Sequence, residues 1–271
     1  MEPIQACILG CIQGLTEFLP ISSSGHLVLF QHLFGMQEPQ LFFDISVHVG
    51  TLIAVMAFFR DDILSILKAV SRLLTGRAGQ SSHHPDSPHI RLVMLILIGS
   101  IPTAILGLLF HRIADQIFSS VLIVGIMLMI TGALLWSSRW IGKETKTIRT
   151  FSIKDALTIG LVQGIAILPG ISRSGSTIVA GLFRGLDREL AARYSFLLSI
   201  PAIAGAELLS LKDIPLHIST FDLPIIIGTI TAGITGYCSL KLLLYLIRKG
   251  NLHLFAPYCW LIGIIAIIYG R

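Results

Sequence analysis

The sequence predicts an all-α polytopic membrane protein with six transmembrane helices and two re-entrant helical hairpins. Composition is the first observation: of 271 residues, 54% are hydrophobic and 13% are charged, and the mean hydropathy is +0.82. So few polar side chains cannot cover a soluble globule of this size. The second observation is an internal repeat. The third is that a short helix interrupted by proline opens each copy of that repeat.

Six apolar stretches are long enough to cross a bilayer core of about 30 Å, which takes about 20 helical residues. They are residues 41–59, 92–110, 120–138, 190–209, 223–247 and 253–270. Lysines and arginines concentrate at 60–91, at 139–154 and around the last three stretches. Because basic residues favour the cytoplasmic side, we expect both termini to face outward. These charges flank membrane spans, so nucleic acid is not expected as a partner.

The repeat is visible in residues 9–28 and 159–178, which align without a gap. The coinciding pairs are Gly10/Gly160, Gln13/Gln163, Gly14/Gly164, Ile21/Ile171, Ser22/Ser172, Ser24/Ser174 and Gly25/Gly175. A weaker echo pairs Phe43-Asp44 with Tyr194-Ser195, and Ile98-Gly99-Ser100-Ile101 with Ile227-Gly228-Thr229-Ile230. We therefore expect one integral membrane domain, 1–271, made of two halves at about 1–140 and 150–271.

Each half opens with a helix that ends at a proline, followed by a polar loop and a short second helix. The predicted helices are 4–19 and 27–35 in the first half, and 154–168 and 177–186 in the second. At 1.5 Å per residue the second helices reach about 15 Å, half of the hydrocarbon thickness. Each pair is therefore predicted to be a re-entrant hairpin followed by three crossings, which inverts the second half. The first hairpin would enter from outside and the second from the cytoplasm. Their tips, 20–26 and 169–177, would then meet near the midplane.

The connecting segments carry weaker signals. Residues 76–90 form a polar loop rich in proline, glycine and serine, and 61–74 are predicted to be an amphipathic helix on the membrane surface. Ser152 and Asp155 have the spacing of a capping box. Asp187 is a candidate N-cap for the helix that follows it.

The second tip, Pro169 to Thr177, places hydroxyls, glycines and an arginine inside an apolar region. Arg173 offers a planar fork that matches phosphate oxygens. The candidate phosphate-binding hydroxyls of this tip are those of Ser172, Ser174, Ser176 and Thr177. The alternative is a plain turn whose arginine extends to water. We favour an oxyanion site, because an arginine deep in an apolar chain is costly without a function.

The first tip follows a helix in which Gln13 and Glu17 are four residues apart and so share one face. A carboxylate at half-membrane depth requires a partner, a cation or protonation. Glu17 is therefore the first candidate for a general base or a metal ligand, with Gln13 beside it as a second candidate metal ligand. Two alternatives stay open. Glu17 could form an ion pair with Arg173 that only braces the hairpins, and Gln13 could bond across helices.

The first tip also supplies hydroxyls and an imidazole. His26 could act as acid, base or nucleophile, since its unperturbed pKa of about 6.5 lies near working pH; a histidine satisfied within the loop is the alternative. Ser22 is a further phosphate ligand candidate. Ser23 occupies the repeat position of Arg173, so one tip is acidic and bears hydroxyls while the other is cationic. This divergence favours catalysis over symmetrical transport.

Together these groups predict a phosphoryl-transfer site in which Arg173 neutralises phosphate oxygens and a hydroxyl or water attacks in line. We favour Ser23 as the nucleophile with Glu17 as its base. A site within the bilayer indicates a lipid substrate. The sequence contains no Walker A motif, so a nucleotide is not expected.

The stretches QGLTE, PISSSGH and PGISRSGST closely resemble those of the bacterial undecaprenyl-diphosphate phosphatase (BacA/UppP) family, and the resemblance covers the whole chain. It implies hydrolysis of undecaprenyl diphosphate, a polyprenyl diphosphate lipid, to the monophosphate carrier used in peptidoglycan synthesis. It also implies a divalent cation requirement, a location in the bacterial inner membrane with the site open to the outer side, and bacitracin resistance on overproduction.

By position, Glu17, Ser23, His26 and Arg173 match the residues thought to be functional in that family, and Ser172, Ser174 and Thr177 complete the phosphate motif. Gln13 stands where a second carboxylate often stands. Glu17 would then have to hold any cation together with the substrate's own diphosphate.

Two other functions fit part of the sequence. Inverted repeats with midplane hairpins also occur in transporters, so a polyprenyl-phosphate lipid transporter or flippase is the main alternative. The phosphatidic-acid type of lipid phosphatase shares Ser24-Gly25-His26, but it has a histidine where this chain has Val179. The sequence leaves the oligomeric state open, with a homodimer as one alternative.

Overall fold

The computed structural model describes residues 1–36, 40–74, 88–111, 120–142, 145–210, 212 and 222–270. In these residues the chain forms eleven α-helices. They are α1 (Pro3–Phe18), α2 (Ser23–Leu33), α3 (Leu41–Phe58), α4 (Arg60–Leu74), α5 (Pro88–His111), α6 (Val121–Ser137), α7 (Ile153–Ile165), α8 (Arg173–Phe183), α9 (Arg188–Ser210), α10 (Leu223–Arg248) and α11 (Ala256–Tyr269). The predicted all-α class is confirmed.

Five helices in the described residues are long and apolar enough to cross a membrane: α3, α5, α6, α10 and α11, where α6 and α11 are counted together with the short helical turn that adjoins each. The chain is therefore a multi-pass membrane protein. The remaining predicted crossing, 190–209, is the helix α9, which is long enough but more polar. Tyr194, Ser195 and Ser199 of α9 are buried against the protein, so this helix does not need an apolar surface all round. The count of six crossings stays a prediction.

The outer surface of these helices is apolar. Leu97, Ile105 and Leu109 of α5 are more than half exposed, as are Ile234 of α10 and Ile268 of α11. A water-soluble protein rarely exposes apolar patches of this extent, whereas lipid chains would cover them.

The two short helix pairs, α1–α2 and α7–α8, match the predicted hairpins in position but not in all of their bounds. The predicted starts of the second helices, residues 27 and 177, are wrong: α2 begins at Ser23 and α8 at Arg173. In the second pair, α7 ends at Ile165 rather than at residue 168. Both second helices have 11 residues, a length of about 16 Å.

A serine cap explains why both second helices begin inside the predicted loops. The Ser22 hydroxyl accepts a hydrogen bond from the Gly25 backbone N–H at 3.3 Å, and the Ser172 hydroxyl accepts one from Gly175 at 3.1 Å. A capped helix can start directly after its serine. Most of each predicted polar loop is therefore the first turn of a helix.

The two halves exchange equivalent contacts. Gly10 of α1 packs against Gly228 of α10, and Gly160 of α7 packs against Gly99 of α5. A side chain at Gly10 or Gly160 would overlap backbone atoms of the opposing helix. Since these are corresponding positions of the repeat, the close helix approach accounts for the glycines that the two halves share.

Equivalent helices run antiparallel to each other. Gly125 of α6 lies opposite Gly263 of α11, while Gly132 lies opposite Trp260. Residue numbers rise along one helix as they fall along its equivalent.

The helices α3 and α9, which share the Phe43-Asp44 and Tyr194-Ser195 echo, show the same direction. His48 lies near Glu207, and further along Phe59 stacks on Phe196 with ring centroids 6.1 Å apart. These two helices are antiparallel as well.

Two of the predicted local features are confirmed around α4 and α9. The predicted amphipathic helix at 61–74 is α4. Asp187 Oδ1 accepts the Leu190 N–H at 2.8 Å at the start of α9. Most of the predicted polar loop 76–90 lies outside the described residues.

The capping box of α7 is also confirmed, and it extends into a buried charge cluster. Ser152 and Asp155 exchange backbone and side-chain hydrogen bonds, and the buried Asp155 carboxylate also binds Lys146 Nζ at 2.9 Å and Arg184 Nε at 2.6 Å. Burial raises the pKa of Asp155, but the hydrogen bonds from Lys146, Ser152 and Arg184 outweigh it, so this pKa lies well below its usual range.

Candidate active site

The tips of the two helix pairs are in direct contact. The Gly170 backbone N–H donates to the Ser22 hydroxyl at 3.1 Å. Thr131 of α6 holds the second tip from behind, because its hydroxyl donates to the Gly170 carbonyl at 2.8 Å and accepts from the Ser172 N–H at 3.1 Å. Residues 20–26 and 169–177 are thus in contact, as predicted, while their position near the midplane stays a prediction.

Ser22 has an unusual backbone at this contact. Its φ is +70°, and among the described residues it is the single non-glycine residue with a positive φ. Such a conformation is costly for a residue with a side chain, and it persists where surrounding contacts hold it. Here those contacts are the hydrogen bonds to Gly25 and Gly170.

Glu17 is the centre of the polar groups at the tips. Its side chain is buried, and its Oε2 accepts hydrogen bonds from Ser23 Oγ at 2.6 Å and from Gln13 Nε2 at 3.0 Å. Its Oε1 accepts a hydrogen bond from Arg173 Nη2 in an ion pair. A group that accepts from three donors behaves as an ionised carboxylate. The structure thus brings together Gln13, Glu17, Ser23 and Arg173, as predicted.

The ion pair does not use all of the hydrogen-bonding capacity of Arg173. Its other terminal nitrogen, Nη1, is buried and has no hydrogen-bond partner, and the Oε1 of Gln13 is in the same state. An unpaired buried donor is costly, and on a guanidinium the cost is removed by an oxyanion. The side chain of Arg173 is 15% exposed. The simple bracing role considered for this ion pair would leave the free nitrogen unexplained.

The predicted phosphate-binding hydroxyls of the second tip are buried and bonded within the protein. Ser172 caps α8, the Ser176 hydroxyl donates to the Ser172 carbonyl at 2.5 Å, and Thr177 shares a 2.5 Å hydrogen bond with Ser195. Ser174 Oγ lies 3.3 Å from Ser172 Oγ. In this arrangement they stabilise the tip that carries Arg173. Their contact with phosphate, like that of Ser22, stays a prediction.

His26 lies beside the first tip rather than against Glu17. Its Nδ1 lies 2.7 Å from the Ser22 carbonyl, so this nitrogen carries the proton of the neutral ring. Its Nε2 is 2.9 Å from the hydroxyl of Tyr258, and the two rings are stacked with centroids 5.7 Å apart. Sequence reasoning missed Tyr258, which α11 contributes. The available signal was a tyrosine inside an apolar helix, whose hydroxyl needs a buried partner. The catalytic role of His26 stays a prediction.

A further set of polar residues that sequence reasoning missed lies next to Glu17. His48 Nε2 is 3.9 Å from Glu17 Oε2, and its Nδ1 is 4.0 Å from Glu207 Oε1. The same Nδ1 is 2.7 Å from the backbone carbonyl of Asp44, whose carboxylate accepts from Gln31 at 2.6 Å. Ionisable residues inside apolar stretches were the signal that could have identified them.

The described residues supply only part of a cation site. They contain no group of three or more His, Cys, Asp and Glu side chains arranged to hold a metal ion. The unpartnered Oε1 of Gln13, next to the Glu17 carboxylate, is an oxygen ligand of the kind that Mg²⁺ and Ca²⁺ prefer. A cation at Gln13 and Glu17 would take its remaining ligands from other oxygen atoms, such as those of water or of a bound phosphate.

Comparison with known proteins identifies the chain's family. Residues 6–265 match the family model described as bacitracin resistance protein BacA. The chain belongs to the BacA family. In this family the similarity extends over whole proteins rather than over the tip motifs alone. The undecaprenyl-diphosphatase of Desulfosudis oleivorans is 52% identical over 267 residues, covering 97% of each chain. That of Desulforapulum autotrophicum is 50% identical over 273 residues, covering 100% of this chain and 99% of the relative. That of Halothermothrix orenii is also 50% identical, over 99% and 98% of the two chains.

Proposed function

We propose that this chain hydrolyses undecaprenyl diphosphate to undecaprenyl phosphate and inorganic phosphate, and so returns the lipid carrier to peptidoglycan synthesis. The observation that carries the proposal is the meeting of Glu17, Ser23 and Arg173 at the contact of the two tips, with one guanidinium nitrogen left without a partner. Relatives called undecaprenyl-diphosphatase, aligned over nearly their full length, support the choice of substrate.

The geometry supports a two-step phosphoryl transfer. Ser23 Oγ already donates to Glu17, so its proton passes to this carboxylate as Oγ forms a bond to the terminal phosphorus. The bond from that phosphorus to the bridging oxygen breaks, and undecaprenyl phosphate leaves with the proton that Glu17 took from Ser23, so the carboxylate is ionised again. Glu17 then takes a proton from water as the water oxygen bonds to the phosphorus of the phosphoserine; the bond from phosphorus to Ser23 Oγ breaks, Oγ recovers a proton from Glu17, and phosphate is released. Arg173 stabilises the charge on the phosphate oxygens through both steps.

The same proposal includes a divalent cation, Mg²⁺ or Ca²⁺, which Gln13 Oε1 and Glu17 would hold together with diphosphate oxygens. When bound, the cation would neutralise charge on the leaving phosphate. Gln13 also donates to Glu17 Oε2 at 3.0 Å, and this bond fixes the carboxylate in the orientation that receives the Ser23 proton.

We further propose an inverted repeat with six crossings, in which the two 11-residue second arms belong to re-entrant hairpins that meet near the midplane. The antiparallel directions of equivalent helices, α6 with α11 and α3 with α9, support it. The distribution of basic residues supports an orientation in which both termini face outward. A location in the inner membrane, with the site open to the outer face, is part of the proposal on the resemblance to the family alone.

The test is phosphate release from undecaprenyl diphosphate by the purified protein in detergent, with and without EDTA. Detergent micelles have no sides, so a transporter without hydrolytic activity would release nothing. We expect turnover by the wild type, loss with EDTA and loss in Glu17→Ala, while the exposed Glu189→Ala serves as a matched control and stays active. Absence of wild-type phosphate release in the presence of divalent cations would refute the proposal.

A further inference from the structure

A cavity of about 390 Å³ opens between α5 and α9, within the size range of small-molecule sites. Its lining is largely apolar with a few hydroxyls, and includes Ser100, Thr103, Gly107, Ile167, Pro201 and Gly205. Such a lining suits a hydrocarbon chain and not a charged group.

Part of the cavity wall comes from the two residues directly before the second tip. Ile167 is the repeat counterpart of Glu17, and Leu168, which also lines the cavity, accepts the N–H of Ile171 at 3.1 Å in the turn that leads to Arg173. Ile167 and Leu168 therefore belong to the segment that leads in sequence to Arg173, whose guanidinium we assign to the phosphate.

The α9 wall of the cavity is also close in sequence to the candidate active site. Ala206 lines the cavity, and the carboxylate of the next residue, Glu207, lies 4.0 Å from His48. The other ring nitrogen of His48 is 3.9 Å from Glu17 Oε2. In α9, as in the segment before the second tip, residues that line the cavity are thus sequence neighbours of residues of the candidate active site.

The repeat itself does not require this space. In the equivalent pair, α3 and α10, Gly50 packs directly against Thr229 and Gly233. On the cavity side, a Cβ added at Gly205 would meet no heavy atom within 4 Å. Glycines thus allow α3 and α10 to pack closely, whereas the equivalent helices α9 and α5 leave the cavity between them.

We propose that this cavity binds the polyprenyl chain of the substrate, beginning with the isoprene units that follow the one attached to the diphosphate. The inference rests on the proposed function, since it takes the diphosphate to lie at the tips. In that arrangement the chain would extend from the tips to the apolar surface that includes Ile167, Gly107 and Gly205. Isoprene units packed there gain van der Waals contacts with the cavity wall, which is the source of binding energy available to a chain already surrounded by lipid.

The test compares two substrates that differ only in chain length, farnesyl diphosphate and dimethylallyl diphosphate. Gly205→Leu fills open space, so the helix can accommodate it, and Gly142→Leu is the matched control because Gly142 also has open space around it. In Gly205→Leu we expect KM for farnesyl diphosphate to rise about tenfold, a typical effect of a changed apolar contact. Hydrolysis of dimethylallyl diphosphate should stay at the wild-type rate, and Gly142→Leu should match the wild type with both.

Equal effects on both substrates, or no effect on either, would overturn the chain-binding assignment. Calorimetric binding of farnesyl monophosphate separates this inference from the proposed function, because it needs no turnover. About tenfold weaker binding in Gly205→Leu supports the cavity even if the wild type releases no phosphate. Unchanged binding, with wild-type hydrolysis intact, would refute the cavity and leave the proposed function standing.

Discussion

Arg173 has two roles in the proposed site: it forms an ion pair with Glu17, and it binds a phosphate oxygen. One of its nitrogens pairs with Glu17, and the other is buried without a partner. The guanidinium carries its donors on separate nitrogens in a planar fork, so one nitrogen can bind the carboxylate while another binds a phosphate oxygen. A lysine carries its three N–H donors on one nitrogen and cannot reproduce that spacing.

We therefore expect Arg173→Lys to reduce the rate of phosphate release by about a hundredfold or more, the usual cost of losing one preorganised donor to a transition-state oxyanion. The measurement is kcat/KM for undecaprenyl diphosphate in detergent. Arg188→Lys, on the first turn of α9, provides the control for the substitution itself. Wild-type turnover by Arg173→Lys would show that the fork is not needed.

Ser23 and Ser24 offer a comparison between adjacent hydroxyls. Ser23 Oγ donates to Glu17 at 2.6 Å, whereas Ser24 Oγ lies 3.4 Å from Ser22 Oγ and has no bond to the carboxylate. If Ser23 is the nucleophile, its removal eliminates the phosphoserine intermediate along with most of the rate.

For Ser23→Ala we expect a loss of at least about a hundredfold in turnover, and no labelled phosphoenzyme after acid quench with substrate carrying radioactive phosphorus. Ser24→Ala should retain most activity and the label. Substantial turnover by Ser23→Ala would instead assign the attack to His26 or to water.

At the scale of the elements, α7 and α8 depend on the charge cluster at their far end from the tip. Asp155 at the start of α7 binds Arg184, which directly follows α8, and Lys146 in the preceding segment. This cluster fixes the spacing of the two arms that support the second tip. Removing the carboxylate would leave two cations facing each other across the gap.

The depressed pKa of Asp155 gives this cluster a defined pH dependence. A carboxyl group with a lowered folded-state pKa stabilises the protein fully above its unfolded pKa of about 3.9, and the stabilisation is lost as pH falls below that value. We expect Asp155→Asn to lower stability by about 3 kcal/mol at neutral pH, as for a broken buried ion pair.

The measurement is the apparent Tm in detergent across a pH series. The difference in Tm between wild type and Asp155→Asn should shrink as pH falls below about 4. The solvent-exposed Asp61→Asn, on α4, should leave Tm unchanged throughout. A Tm difference that is constant from neutral pH down to acid pH would contradict the assigned role of the carboxylate.

At the scale of the whole molecule, the arrangement of crossings determines where the termini lie. An even number of crossings places both termini on one side, and the basic segments at 60–91 and 139–154 favour the cytoplasm. Five helices are strongly apolar, so whether the total number of crossings is even or odd depends on whether α9 also crosses the membrane. Its buried serines and tyrosine show why composition alone does not identify it as a crossing.

We expect alkaline phosphatase fused after Arg271 to be active, because it requires the outer side, and a green fluorescent protein fusion at the same position to be dark. A fusion within the basic segment at 139–142 should show the opposite pair of signals. A fluorescent C-terminal fusion with inactive phosphatase would mean that the number of crossings is odd or that the orientation is reversed.

Much of the fold could be predicted from sequence because its signals are local. Apolar length and the position of basic residues define membrane helices, and the Gln-Gly and Ser-x-Ser-Gly pattern reveals the repeat. The helix starts could not be predicted as well. Proline and glycine next to Ser22 and Ser172 favour a loop, while these serines favour a cap, and the cap prevailed at both tips.

By itself, the sequence determined that this is a multi-pass membrane protein of duplicated design, with an acidic tip and a cationic tip that need one another. Only the tertiary structure decided which groups touch: Arg173 with Glu17 across 156 positions, and His26 with Tyr258 across 232. It also decided that one helix contact closes on glycines while its counterpart leaves a cavity. Contacts between residues so far apart in the chain depend on how whole helices pack against each other. The residue pattern of one helix does not specify which partner helix it meets or at which residues.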